Sequence, residues 1–469
     1  MSITRESSGL YTDHYELTMA QGYFLSGKKD TRVNFDYFFR KNPYEGGYAI
    51  FAGLANLLEV LQDFRFSDED CQYLESIGFS EEFTRYLRKF RFRADIFSVR
   101  EGEIVFANEP LLRVEGNIIE TQLVESLVLN IINFQSLIAT KAARIRYAAG
   151  NRLLVDFGMR RAQGLGAIHA SRAAIIGGFD ASSNVYSANR YGFESTGTMA
   201  HSWVQSFDSE ADSFREFMRF YPDSSIFLVD TYDTLKSGVP NAITVAKEME
   251  ENNHKLTGIR LDSGDLAWLS KESRRMLDSK GLHYVKIIVS NQLDEHVIKS
   301  LISQKAPIDA FGVGTALVTG KGDGALDGVY KLTQVGDSPS MKVSENISKT
   351  TLPGIKKIYR YVNGDDKFYA DGIELEDREA PDMIYHPFQP DKKCGLKDYK
   401  HNSIIEKVMD KGSVLNEQSL DEIVKYSGRR LAKLPEETKR FENPHEYKTG
   451  IGNELMALRD SLKKKIWKH

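Results

Sequence analysis

The feature that most constrains this chain is a rhythm that begins at Arg152. Five apolar runs, Leu153-Leu-Val-Asp156, Ile226-Phe-Leu-Val-Asp230, Gly258-Ile-Arg-Leu-Asp262, Val285-Lys-Ile-Ile-Val-Ser290 and Ile308-Asp-Ala-Phe-Gly-Val-Gly314, each end in a polar or glycine cluster. A segment of helical periodicity follows each of them. Weaker small-residue candidates lie near residues 177–181 and 195–200, and Val329 to Leu332 could close the set, giving about seven βα units. The repeat predicts an α/β domain of parallel, barrel-like form with its active site on the rim where the strands end. A doubly wound open sheet competes, but no glycine-rich dinucleotide fingerprint follows the first strand.

The rest of the chain fits around this domain. At 469 residues it is too long for most single cores, so two interlocked domains are expected. Residues 1–140 read as a mixed α+β domain, 141–340 as the catalytic α/β domain, and 341–469 as a segment packing back on the first. Near the start, Thr12 and Asp13 signal a helix running to Phe24, and Arg32 to Arg40 alternates like a strand. Short strands follow around 96–99, 104–107 and 111–119, then one long or broken helix over 120–148. A helical tail is predicted from Asn453 to Trp467.

Composition excludes several function classes. The 62 basic and 66 acidic residues give a net charge of −4, which offers no global attraction to nucleic acid or to an anionic membrane. Two cysteines, Cys71 and Cys394, are too few and too far apart for a disulfide framework or a thiolate metal site. No apolar run approaches the roughly 18 residues of a spanning helix, and the first residues lack a signal-peptide core. A soluble, cytoplasmic protein is expected.

Chemistry concentrates at the strand ends. Asp230 and Asp262 can hold ribose hydroxyls or magnesium, a hard ion that keeps waters and phosphate oxygens among its ligands. Asp233 and Asp265 read equally well as helix caps. Alternation puts Arg260 on the same face as Asp262, and inside a barrel both need partners. Arg160 and Arg161 follow the first run directly, and arginine's planar fork suits carboxylate or phosphate. Gly312, Gly314 and Thr315 end another run, where backbone N–H groups can cup a phosphate, with Ser290 and Asn291 beside them. His201 follows a run of small residues, and an acid, a base and a phosphoryl acceptor are all open to it. Walker A, nucleophile-elbow and His-Glu-x-x-His sequences do not occur.

Taken together, Tyr11-Thr-Asp-His-Tyr15, Asp156-Phe-Gly-Met-Arg-Arg-Ala-Gln-Gly164, Gly178-Phe-Asp-Ala-Ser-Ser-Asn184, Gly197-Thr-Met-Ala-His201, Arg260-Leu-Asp-Ser-Gly-Asp265 and Phe311-Gly-Val-Gly-Thr315 resemble the nicotinate phosphoribosyltransferase family. The resemblance covers about the first 330 residues. It implies the incomplete α/β barrel of type II phosphoribosyltransferases, a mixed N-terminal domain rejoined by the C-terminal segment, and a homodimer with shared active sites. It implies that the pyridine ring lies between Phe157 and a Tyr15 given by the partner subunit, and that Arg40 also crosses the interface toward phosphates. His201 would be phosphorylated from ATP. Asp230 and Asp262 would hold ribose and magnesium, Arg160 and Arg260 would sit by base and phosphates, and Arg161 would face the carboxylate or nearby phosphates. Gly314 and Thr315 would bind the 5′-phosphate, with Asp180 and Ser182 near the pyridine substituent. The substrates implied are nicotinate, phosphoribosyl pyrophosphate and ATP. One departure is Gln292, where an Asp or Gly is expected after Ser290-Asn291. Nicotinamide phosphoribosyltransferase and an inactive metabolite-binding homologue are the competing readings. Paired Arg160 and Arg161 favour an anionic pyridine.

Overall fold

The apolar runs form the strands they predict. The computed structural model describes residues 8–344 and 349–466. The chain divides into one unit of residues 141–324 and another of residues 1–140 with 325–469. In the first of these, six parallel strands follow one another: Leu153–Asp156, Ala181–Ser182, Ile226–Leu228, Gly258–Leu261, Lys286–Ser290 and Ala310–Val313. Numbered in that order they lie 2-1-6-5-4-3 across the sheet. Most of their apolar side chains are buried, for example Phe227, Ile259, Ile287 and Phe311, while Leu153 at the start of the first strand is exposed. Helices connect them, and short polar residues start those helices. The Asp233 carboxylate accepts from the backbone N–H of Leu235 and Lys236, and that of Asp265 from Trp268, so both acids are caps.

Two weak strand candidates shrink and one moves. Residues 177–181 yield only Ala181–Ser182, and residues 195–200 yield a single parallel bridge, Ser182 to Ser195. Small residues and glycines provide too little side-chain packing to extend a strand there. Val329 to Leu332 does not close the parallel set. It belongs to the Gly328–Val335 strand of the other unit, antiparallel to Arg32–Phe39, where Tyr330 stacks on Phe35 at 4.8 Å.

The discontinuous unit contains two larger sheets. One has seven strands, in which Ile405–Asp410 from the C-terminal part pairs with Asp95–Val99 from the N-terminal part. The other has six and comes wholly from residues 356–451. A buried ionic cluster ties the two stretches of chain together. Arg360 is fully buried, grips Asp371 with two nitrogens and donates to Glu103 at 2.7 Å. Arg430 and Tyr426 donate to the same Glu103, and the Tyr447 hydroxyl to Asp371.

Near the N-terminus the helix spans His14–Leu25. Asp13 occupies its cap position without capping it, and instead accepts from the Ser126 hydroxyl. Within this helix Glu16 is fully buried and accepts from the Ser126 amide and hydroxyl and from Thr12. Burial pushes its carboxyl up to about 7 despite these donors. A raised folded-state pKa contributes stability in full below the ordinary value of 4.5, and that contribution is lost as pH rises to about 7. Glu16→Gln is therefore expected to raise the thermal midpoint above pH 7 and to give no gain below pH 4.5, in melts followed across that range.

Helix over residues 118–149 does reach the length and apolarity of a membrane span, contrary to the expectation from the sequence, but 72% of its apolar window is buried in the fold. The final helix spans Asn453–Ile466, with Lys463 to Lys465 in its last turn where cations complement the helix dipole. Trp467 lies outside the described residues.

Candidate active site

All six strands end on one rim, and a cavity of about 330 Å³ opens there. Phe157, Arg160, His201, Arg260, Asp262 and Ser290 line it, together with Met159, Ser183 and the Gly197 to Ala200 stretch. Four different strand ends thus meet in one space, at Phe157, Ser183, Asp262 and Ser290, and the segment from Gly197 to His201 joins them there.

The carboxylates organise its floor. Asp230, just past the third strand, accepts from the Asp262 amide at 2.8 Å and the Ser263 hydroxyl at 2.6 Å through one oxygen. Its other oxygen, Oδ1, is buried and has no partner. Asp262 accepts from the Ser290 hydroxyl through Oδ1. Its Oδ2 lies 3.9 Å from His201 Nε2. His201 starts the His201–Gln205 helix, and its Nδ1 lies 3.1 Å from the Thr231 hydroxyl. One ring nitrogen is therefore held from behind while the other faces Asp262.

Arg260 donates to Thr198 in the Gly197-Thr-Met-Ala-His201 stretch, while its Nε is buried without a partner. Burial pulls this guanidinium below its ordinary value, opposed by Asp262 and Asp230 and aided by Arg160. A desolvated cation beside a second one, with a free donor, is a strong receptor for an anion.

Phe157 is placed by its neighbours. Its amide donates to Val313 and its ring lies against the α-carbon of Gly312, where a β-carbon would fall 2.3 Å from the ring. Gly312 is thus a strand residue that makes room for Phe157, not a phosphate cup. Gly314 adjoins the Phe157 carbonyl, and Thr315 begins the four-residue Thr315–Val318 helix; neither lines the cavity.

Neither Ser182 nor Asp180, both expected at the substrate, lines the cavity. Ser182 is fully buried and donates to the Asp156 carboxylate at 2.7 Å, which also takes Ser171 and the Gly158 amide. That network braces the start of the Phe157 loop. Asp180 pairs with Arg146 and accepts from the Leu154 amide, at the opposite end of the strands from the rim. The adjacent Ser183 lines the cavity instead. Of the paired arginines, Arg160 lines the cavity and Arg161 is exposed outside it. Asn291 is exposed just past the fifth strand, with φ +79°, and Gln292 follows at φ +48°. Left-handed backbone at position 292 explains why glycine suits it. Tyr15 and Arg40 belong to the other unit. Tyr15 is 46% exposed on its helix, and Arg40 has a buried Nε without a partner.

The sequence matches three family models. The nicotinate phosphoribosyltransferase family model spans residues 153–389, with the N-terminal domain model on 10–133 and the C-terminal domain model on 355–459. A nicotinate phosphoribosyltransferase from Bacillus subtilis (strain 168) is 41% identical over 464 residues, covering 96% of this chain and 94% of the relative. The chain belongs to the nicotinate phosphoribosyltransferase family. It is an enzyme of that type. The crystal structure of the human nicotinic acid phosphoribosyltransferase superposes with a TM-score of 0.86 at 29% identity, covering 96% of this chain and 99% of that one. The nicotinate-nucleotide pyrophosphorylase of Pyrococcus furiosus shares the fold, with a TM-score of 0.74 at 23% identity over 92% and 97% of the two chains. Family membership thus extends through the C-terminal segment, which the sequence motifs left unmatched.

Proposed function

We propose that the rim cavity binds nicotinate and phosphoribosyl pyrophosphate and forms nicotinate mononucleotide, with ATP coupled through His201. The observation that carries this reading is the meeting of Arg160, Arg260, His201 and Asp262 in one cavity with Phe157 beside them. A flat, electron-poor ring can stack on Phe157, and two guanidinium groups offer charge to a pyridine carboxylate and to phosphates. That cationic pair favours nicotinate over nicotinamide.

In the transfer step the pyridine nitrogen bonds to C1 of the ribose as the bond from C1 to the pyrophosphate oxygen breaks, and pyrophosphate departs. Asp230 and Asp262 orient the ribose, and Arg260 meets charge on the phosphates. Among the described residues no three acids, histidines or cysteines cluster as a metal site. The unpartnered Asp230 Oδ1 beside Asp262 still suits magnesium, which takes one or two carboxylates and fills its sphere with phosphate oxygens and water. When bound there, magnesium would neutralise charge on the leaving pyrophosphate.

In the coupling step a ring nitrogen of His201 bonds to the γ-phosphorus of ATP, ADP leaves, and water later releases orthophosphate from the phosphohistidine. Hydrolysis of that intermediate drives an otherwise reversible transfer. Thr231 is the positioning residue, because it holds Nδ1 and so aims Nε2 at Asp262. Incubation with ATP labelled in the γ-phosphate tests the scheme: the wild-type protein should carry acid-labile label, and His201→Ala should lose both label and ATP stimulation. Unchanged labelling in His201→Ala would sink the phosphohistidine. Thr231→Val should slow labelling about tenfold, the equivalent of one lost hydrogen bond of about 1.4 kcal/mol, with recovery in Thr231→Ser.

The strand order supports an incomplete barrel. Read as 3-4-5-6-1-2, the strands follow the chain around a circle with the sixth paired to the first and the gap between the second and third. A homodimer with shared sites is supported by the exposed Tyr15 and Met19, one turn apart on the same helix. Arg40, whose Nε has no partner, would reach phosphates across that interface. Gly314, Thr315 and Asn291 remain at the rim as phosphate contacts, with Arg161 outside the cavity. A cytoplasmic location completes the proposal.

A further inference from the structure

The discontinuous unit holds a second, larger cavity, of about 440 Å³. It forms where two strands of the six-stranded sheet part. The Met383–His386 strand pairs with the Lys448–Ile451 strand at Tyr385 and Ile451. At Gly450 the two are still close, since a β-carbon there would come within 2.9 Å of Ile384 and of the Tyr385 carbonyl. Beyond that point they diverge, and the space between them is walled by His386 and the Lys392 to Cys394 stretch on one side and by residues 446–450 on the other.

The chemistry of this wall is one-sided. Lys392, Lys393 and Lys448 face one acid, Glu446, in a protein whose net charge is −4. Neither Lys392 nor Lys393 forms an ion pair with a described residue, whereas Lys448 rests over the Tyr369 ring. His386 adds a donor. Its Nδ1 accepts from the Phe388 and Gln389 amides, which leaves the proton of the neutral ring on Nε2. Burial and Lys392 hold that ring below its ordinary pKa against the pull of Glu446, keeping it neutral. Thr449 contributes a buried hydroxyl with no partner. The back of the cavity is aromatic: Phe106 and Tyr447 stack with centroids 3.7 Å apart. A cavity of this size is within the range that takes a small-molecule ligand, with apolar walls and a few convergent polar groups.

We propose that this cavity is a binding site for a phosphate-bearing small molecule, separate from the rim of the parallel sheet. Lys392 and Lys393 supply the charge, His386 Nε2 and Thr449 the directional contacts, and the Phe106 and Tyr447 wall room for an organic body. The occupant is free phosphate or the phosphate of a nucleotide, which share the chemistry and differ in their use of the aromatic wall.

Cys394 lines the cavity and gives a direct reporter, because the only other cysteine, Cys71, is fully buried. Alkylation of Cys394 in the full-length protein by iodoacetamide is followed by peptide mass spectrometry. The arms are inorganic phosphate, adenosine monophosphate, and chloride at matched ionic strength. The proposal expects phosphate, the nucleotide or both to slow alkylation about tenfold at a concentration of about ten times Kd, by mass action. It expects the protection to vanish in the Lys392→Glu, Lys393→Glu double variant while turnover at the rim is kept. Protection by phosphate alone, or by both ligands equally, assigns the site to free phosphate; stronger protection by the nucleotide assigns it to nucleotides. Protection by neither ligand, equal protection by chloride, or protection that survives the double charge reversal would overturn it.

Discussion

Asp262→Asn is expected to lower kcat/KM for nucleotide formation by about 10²–10³, the range for removing one preorganised electrostatic contact in an active site. The side chain sits at the junction of the site. Its own amide is held by Asp230, its Oδ1 takes the Ser290 hydroxyl, and its Oδ2 faces His201. Asparagine keeps the shape and an acceptor for Ser290 but removes the charge that ribose, magnesium and a charged imidazole would all use. The fold should not suffer, since the side chain is partly exposed to the cavity. Steady-state kinetics beside a thermal melt separates the two effects. Unaltered kcat/KM with an unaltered melt would remove Asp262 from the chemistry.

The largest stability effect is expected in the discontinuous unit. Arg360→Met leaves Asp371 and Glu103 buried without their shared cation, and breaking a buried ion pair by removing one partner costs about 3–5 kcal/mol. Burial alone would pull the Arg360 guanidinium down, and the two carboxylates more than reverse it, so this arginine is firmly charged. Because Glu103 comes from the N-terminal stretch and Arg360, Asp371 and Arg430 from the C-terminal one, the loss should loosen the attachment of the C-terminal segment first. Denaturant unfolding with limited proteolysis would detect both effects. A variant as stable and as protease-resistant as the parent would show that the cluster is replaceable.

Much of the parallel sheet was legible because its strands are short apolar runs with polar ends, a pattern that local sequence carries. For the same reason Arg260, Asp262 and Ser290 are legible on one rim, whereas His201 follows a small-residue run that forms no strand. The second strand was harder. It is two residues long, and position along it decides everything: Asp180 lies by Leu154 at the strand start, Ser182 points into the Asp156 network, and Ser183 alone reaches the cavity. No periodicity distinguishes three polar residues within four positions around so short a strand. Thr231 was missed for a related reason, since a hydroxyl beside an acid carries no pattern until its histidine partner is in place. Gly312 was read as a phosphate cup because a glycine's use depends on what approaches it, here the Phe157 ring. Beyond residue 325 the strands pair with partners up to about 300 positions away, as Val335 does with Val33, and such register is set by contacts that sequence windows do not contain.

The proposed reaction at the rim joins an anionic pyridine to a phosphoribosyl group with ATP coupled through His201. The most direct measurement is product formation from phosphoribosyl pyrophosphate and magnesium with nicotinate or nicotinamide, each with and without ATP. Nicotinate mononucleotide should form, faster with ATP, and nicotinamide should be a poor substrate. Turnover of nicotinamide in preference to nicotinate would contradict the account.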